Sequence, residues 1–234
     1  MKKLILVLSA MTLLSSGAWA DLQKGSQTLS VFLGGSGSNS TLDLSGSQQG
    51  NEPIGDGGGA VGASYLYYVK SEPLIGVGLD FNASRLSEDH SRNLIFGNDS
   101  NTYANSDILM LIGRLAFPSG KLRPYIQGGV GFDTTLIHMT SQPQVGHTWA
   151  DTGTIETRTL FDDRSTTVAA GWAIGMDWYL TERFLLGLEY RNSYFRAKQS
   201  PTAAGTALGL YDVNEGWDIS NLFLRIGWTW GASH

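Results

Sequence analysis

The chain contains no cysteine. That absence removes structural disulfides, lipid attachment at an N-terminal cysteine, thiolate metal sites and thiol nucleophiles together. Long apolar runs are also missing. The stretch from Leu4 to Leu14 falls short of the about 20 residues that a spanning helix needs. Lysine is scarce: beyond residue 20 only Lys24, Lys70, Lys121 and Lys198 occur, and none interrupts the middle of an alternating segment. No basic stripe appears and the formal charge is -5, which argues against nucleic acid as a partner. The glycine runs at 34–37 and 57–59 lack a following helix and a Lys-Ser/Thr pair, so no nucleotide site is expected.

What is present begins with an export signal. Lys2 and Lys3 precede the apolar Leu4–Leu14 stretch, and Ala18-Trp19-Ala20 forms a cleavage site before Asp21. Residues 1–20 therefore read as a signal peptide and 21–234 as one exported domain. An exported domain without disulfides needs another source of rigidity, and closure of a sheet supplies one. The 30 glycines and the 11% aromatic content suit crowded backbones and an interface.

Eight segments alternate between apolar and small or polar residues, at roughly 27–37, 58–70, 74–86, 105–117, 124–137, 164–180, 184–197 and 218–230. Strict alternation marks strands with two different faces. Most of these segments exceed the about 9 to 11 residues that carry a tilted strand across a bilayer. Their connections alternate too. Ser71–Pro73, Pro118–Arg123 and Thr181–Arg183 are short; 38–57, 87–104, 138–163 and 198–217 are long and polar. Long loops at every other connection all emerge at one end of an up-and-down meander. The expected fold is all-β, an eight-stranded antiparallel up-and-down transmembrane β-barrel.

Parity alone does not say which face is inside, but composition does. One face carries Leu29, Val31, Leu33, Val77, Leu79, Phe81, Leu109, Leu111, Leu222, Leu224 and Ile226. Phe117, Trp178, Phe184, Trp228 and Trp230 stand on it near short turns or the C-terminus. An amphipathic ring is best placed at headgroup depth, so these five are expected to form an aromatic girdle. The other face mixes glycine with Asp80, Arg114, Asp133, Asp177, Glu189, Arg191 and Arg225. An eight-stranded barrel is only just wide enough for side chains to fill. A charge buried there must be paired or wetted, so these seven are expected to form a lumen charge network. The apolar face then meets lipid.

With LRPYIQGGVGF (122–132), WAIGMDWYLTERFLLGLEYR (172–191) and FLRIGWTW (223–230), the chain resembles the porin-like outer-membrane β-barrel family. Its small members include the transmembrane domain of outer membrane protein A and outer membrane protein X. The resemblance implies insertion by the outer-membrane assembly machinery, which reads a final strand ending in an aromatic. Trp228 and Trp230 match that rule in part, since Gly231-Ala232-Ser233-His234 follow them. No appended domain is expected after the barrel. Some eight-stranded barrels hydrolyse lipid A with a His, a Ser and a carboxylate on the outward side. Here His138 has Thr140 and Ser141 nearby, while His90, His147 and His234 are scattered. Proximity in a loop does not align a nucleophile with its base. Asp151, Glu156, Asp162 and Asp163 crowd one loop without the spacing of a calcium loop.

The expectation is a non-enzymatic integral outer-membrane protein without metal or cofactor. It would support envelope integrity or present loops to lipopolysaccharide, host surfaces or envelope proteins. Tyr103, Trp149, Phe161, Tyr211 and Trp217 are the loop aromatics suited to that contact. The alternatives are a lipid A-modifying hydrolase and a narrow ion channel.

Overall fold

The structure of the chain, a computed structural model, describes residues 22–38, 41–43, 51–53, 57–92, 99–117, 120–143, 146–149 and 152–231. The expected signal peptide, Asp151, His234 and the side chain of His90 lie outside the described residues. Ten strands occur among the described residues, in chain order: β1 (Gln27–Ser38), β2 (Thr41–Asp43), β3 (Asn51–Pro53), β4 (Gly57–Ser71), β5 (Leu74–Arg92), β6 (Asp99–Ala116), β7 (Leu122–Gln142), β8 (Arg158–Tyr179), β9 (Phe184–Gln199) and β10 (Val213–Trp230). A short helix α1, Ala203–Ala207, lies between β9 and β10.

Eight strands close into a ring in the order β1-β10-β9-β8-β7-β6-β5-β4, while β2 and β3 pair separately. Each neighbour in the ring is antiparallel, and β1 joins β10 from Gln27↔Trp230 to Ser38↔Ile219. Closure leaves no unpaired edge, the condition for a sheet to cross hydrocarbon. Following paired residues round the ring from Trp230 passes Gln27, Tyr67, Val77, Gly113, Gly128, Trp172 and Asn192. It returns to β10 at Ser220, ten residues above the start. A stagger of that size, with a rise of about 3.3 Å and a spacing of about 4.8 Å, tilts the strands by roughly 40°. Each residue then climbs about 2.5 Å.

The membrane-level segments lie in barrel strands, but the ends at the long-connection side differ from expectation. Residues 138–142 and 158–163, expected in one loop, continue β7 and β8. β6 starts at Asp99, not near 105, and β10 starts at Val213, not near 218. Above the membrane both faces of a strand turn polar or mixed, so alternation fades while the hydrogen-bond ladder continues. The remaining 198–217 connection is also ordered. Thr202 caps α1 by accepting from the Gly205 N–H at 3.2 Å, and its hydroxyl donates to the Thr159 carbonyl at 2.6 Å.

The interior has three storeys. At the short-turn end Leu22, Tyr68, Leu74, Ala116, Tyr125, Tyr179 and Leu185 pack together. The charged side chains come next, with Phe32, Ala60 and Phe223 beside them. Above, an apolar cluster including Met110, Ile137, Leu160, Phe161, Phe195, Trp217 and Ile219 fills the barrel, with Leu210 and Val213 in it. This upper storey was not expected from the sequence. It is built from inward residues of successive strands, among them Leu86, Ile108, Ile137, Phe161, Phe195 and Trp217.

Candidate functional site

The seven expected lumen residues all point inward and are buried. Their positions follow from strand parity, since Asp80, Arg114, Asp177, Glu189, Arg191 and Arg225 each alternate with lipid-facing neighbours. Glu189 is the hub. Its Oε1 accepts from Arg191 Nε at 3.0 Å and Nη2 at 2.6 Å. Its Oε2 accepts the Tyr125 hydroxyl at 2.6 Å and lies 3.3 Å from Arg225 Nη1 and 3.6 Å from Arg114 Nη2. Asp177 bridges Arg114 at 3.1 Å and Arg225 at 3.2 Å. Arg191 also grips Asp80 with both terminal nitrogens, one of them at 2.8 Å.

The guanidinium groups are covered by rings and hydroxyls. Arg114 lies 3.8 Å over Tyr125, and Arg191 lies 4.9 Å over Phe32 and 5.5 Å over Phe223. Gln127 Oε1 accepts two Arg114 hydrogen bonds, at 3.0 and 2.9 Å. Arg225 donates to the hydroxyls of Tyr125 and Ser30, the latter at 3.2 Å. Three arginines thus face three carboxylates in a buried centre, where pairing offsets the cost of burial.

Asp133 departs from the expected network. It is 1% exposed yet takes hydroxyls from Ser106, at 2.5 Å, and Thr135 rather than a guanidinium. Parity places it in the lumen, but the tilt carries it above the arginine layer. Tyr125, whose parity turns it into the lumen with Gln127 and Arg114, is an acceptor and donor at the heart of the network, a role alternation does not assign.

On the outer wall Val31, Leu79, Leu111, Val130, Ile174 and Leu224 are half or more exposed. Phe117, Trp178, Phe184, Trp228 and Trp230 are on this face close to the short-turn end, with Tyr65 6.4 Å from Trp230. Higher up, β6–β8 carry a polar outer face. Tyr103 stacks on His138 with ring centroids 4.7 Å apart, and His138 Nδ1 lies 3.2 Å from Asp162 Oδ1. Arg164 reaches Asp107 at 3.7 Å, and Thr134 meets Thr166 at 3.2 Å.

The His-Thr-Ser grouping is split by the pleat. His138 and Thr140 face outward, whereas Ser141 faces inward and its hydroxyl donates to the Asp99 carbonyl at 3.3 Å. His147 is exposed elsewhere. Among the described residues the acidic group does not converge either: Asp163 accepts from the backbone of Arg164 and Ser200, and Glu156 lies 3.9 Å from Arg158. Three of the five loop aromatics are buried. Phe161 and Trp217 fill the upper storey, and Trp149 lies beneath Arg158 with its Nε1 donating to the Glu156 carbonyl at 2.7 Å. Only Tyr103 and Tyr211 are exposed among these five.

A closed eight-stranded ring with an apolar outer band, a charged and ring-filled interior and short turns at one end is a small barrel of the outer-membrane class. The chain belongs to the outer membrane protein beta-barrel domain family, whose model matches residues 6–227. It is an integral protein of the outer membrane. OprG from Pseudomonas aeruginosa is similar in structure at a TM-score of 0.58 and 16% identity, covering 92% of this chain and 100% of that one. The attachment invasion locus protein Ail of Yersinia pestis, solved with the heparin analogue sucrose octasulfate, gives 0.45 and 12% over 89% of this chain and 100% of its own. The outer membrane protease OmpT from Escherichia coli gives 0.47 and 8% over 92% of this chain and 99% of its own. Identities this low show the fold alone. No curated protein matches the chain.

Proposed function

We propose that the protein is a non-enzymatic outer-membrane barrel that works through its outward surface above the bilayer. The observation that carries this is the hydrogen-bonded β6–β8 extension, where Tyr103, His138 and Asp162 stand together on the outer face. Residues held on strands keep their geometry better than residues on free loops. An aromatic ring stacked on an imidazole offers contact area to saccharide or protein surfaces. The filled interior supports the same reading, because the charged layer and the apolar storey above it occupy the space a conduit would need.

Residues 1–20 are proposed to be removed on export, leaving Asp21 as the mature N-terminus. The five outward aromatics are proposed to lie at the periplasmic headgroups.

The test is attachment of cells displaying the protein to host surfaces and to purified lipopolysaccharide. It compares the wild type with Tyr103→Ala/His138→Ala and with each long connection trimmed. Loss of attachment in the double variant is the expected result; unchanged attachment in every variant removes the proposal. One observation favours hydrolysis of lipid A as a second reading, namely the His138–Asp162 pair on the outward side. Against it stands the inward Ser141, which leaves the imidazole without a serine partner. Release of fatty acid from lipid A by the purified barrel, abolished in His138→Ala, would establish that reading instead.

A further inference from the structure

The outer wall is not uniformly convex. Phe117, Pro124, Ile126, Ile174, Met176 and Leu188 line an open groove of about 390 Å³, with Tyr190 and Leu222 at its upper end. Its floor is the backbone of Tyr125 and Gly175. On the inner side of the wall a Cβ at Gly175 would lie 2.4 Å from the Tyr125 ring and 2.8 Å from the Leu188 carbonyl, so glycine there lets that ring pack against the backbone. The groove's lining side chains come from neighbouring strands, so it crosses the wall from the turn after β6 toward β10. Tyr190 is held in place at the top. Its hydroxyl lies 3.1 Å from the Ser220 hydroxyl, and its ring lies 5.7 Å from that of Trp172.

Depth identifies the occupant. Phe117 and Pro124 stand beside the short turn after β6, and their backbones are joined at 2.9 Å. Leu222 lies eight residues above Trp230, about 20 Å at the climb set by the tilt. The groove therefore starts at the short-turn interface and ends inside a hydrocarbon band about 25 Å tall. Lipid chains are the abundant apolar filler of that medium, and the lower end of the groove opens toward the periplasmic leaflet. Lys121 and Arg183 sit in the short turns on either side of that end. The short-turn end as a whole carries Lys24, Lys70, Lys121 and Arg183 against Glu72 and Glu182 among the described residues, while Arg123 is buried over the Tyr179 ring. Cations at this level suit a phosphate headgroup.

We infer that the groove across β7, β8 and β9 holds one acyl chain of a periplasmic-leaflet glycerophospholipid, its phosphate lying at the level of Lys121 and Arg183. The barrel carries this lipid as a resident ligand, distinct from the exchanging lipid around the rest of the wall.

The experiment is native mass spectrometry of the full-length protein purified from outer membranes in mild detergent. It is repeated after reconstitution with vesicles of phosphatidylethanolamine and phosphatidylglycerol, and separately with lipid A. Ile174→Trp fills the groove; Val31→Trp places the same bulk on β1, three strands away round the wall. Both variants are first checked for folding by faster migration of unboiled samples on a gel. The expected result is one phospholipid retained per barrel by the wild type and Val31→Trp, with occupancy at least about tenfold lower in Ile174→Trp. Equal retention in folded Ile174→Trp, no retained phospholipid in the wild type, preferential retention of lipid A, or a second barrel in place of lipid would each overturn the inference.

Discussion

Glu189 shows how much of the interior rests on a single side chain. It faces three arginines and a tyrosine hydroxyl and is fully buried. Removing one partner of a buried ion pair costs about 3–5 kcal/mol, because the remaining charge is left uncompensated. Arg225→Met, which strips a cation from both Glu189 and Asp177, is therefore expected to lower stability by about that amount. The urea concentration at which the gel shift of the folded form is lost measures it. Gly175→Ala tests the close approach from the other direction. The added methyl meets the Tyr125 ring, and overpacking of this kind costs about 1–3 kcal/mol; the same urea series should show it. The inward parity of Asp80, Arg114, Asp177, Glu189, Arg191 and Arg225 was legible from alternation. Which acid meets which base was not, and Asp133 makes the point. Its height in the barrel depends on the stagger between strands, which one strand's sequence does not contain.

At the scale of the strand, the outer band and its upper limit are separate features. Leu79 on β5 is 53% exposed in the middle of the apolar band, where an arginine facing lipid costs about 2–4 kcal/mol. Leu79→Arg should lose that much folding stability, whereas Thr134→Arg, on the polar part of β7, should change it by no more than about 1 kcal/mol. Equal losses for the two would place the bilayer higher on the wall than the apolar band indicates. The membrane-level portions of all eight strands were legible because water-free surroundings force a strict two-residue pattern. The extensions of β6, β7, β8 and β10 were not, since an extension above the bilayer has no lipid face to enforce alternation. For the same reason Phe161 and Trp217 read as loop residues, although they are the packing of the upper interior.

The whole molecule combines a closed ring with an occupied interior. A barrel with every edge paired unfolds slowly, so the unboiled protein should run faster on a gel than the boiled one. Identical migration would remove the membrane reading altogether. The filled interior predicts that the purified barrel in planar bilayers shows no stable ion conductance. Open-state steps that persist in the wild type would mean that the charged layer and the apolar storey part during function. Arg225→Met should not create such steps on its own, because the apolar storey above it remains intact.

Alternation, the spacing of short and long connections and the inward charges by themselves determined the barrel, its strand number and which face meets lipid. Those are local properties, set by which solvent each residue in turn must meet. Only the tertiary structure decided the ion-pair partners, the isolation of Asp133, the apolar upper interior, the outward Tyr103–His138–Asp162 group and the groove over Gly175. Each of these depends on residues from different strands arriving at one height. That height is fixed by the register accumulated round the closed ring, a quantity no single segment of sequence carries.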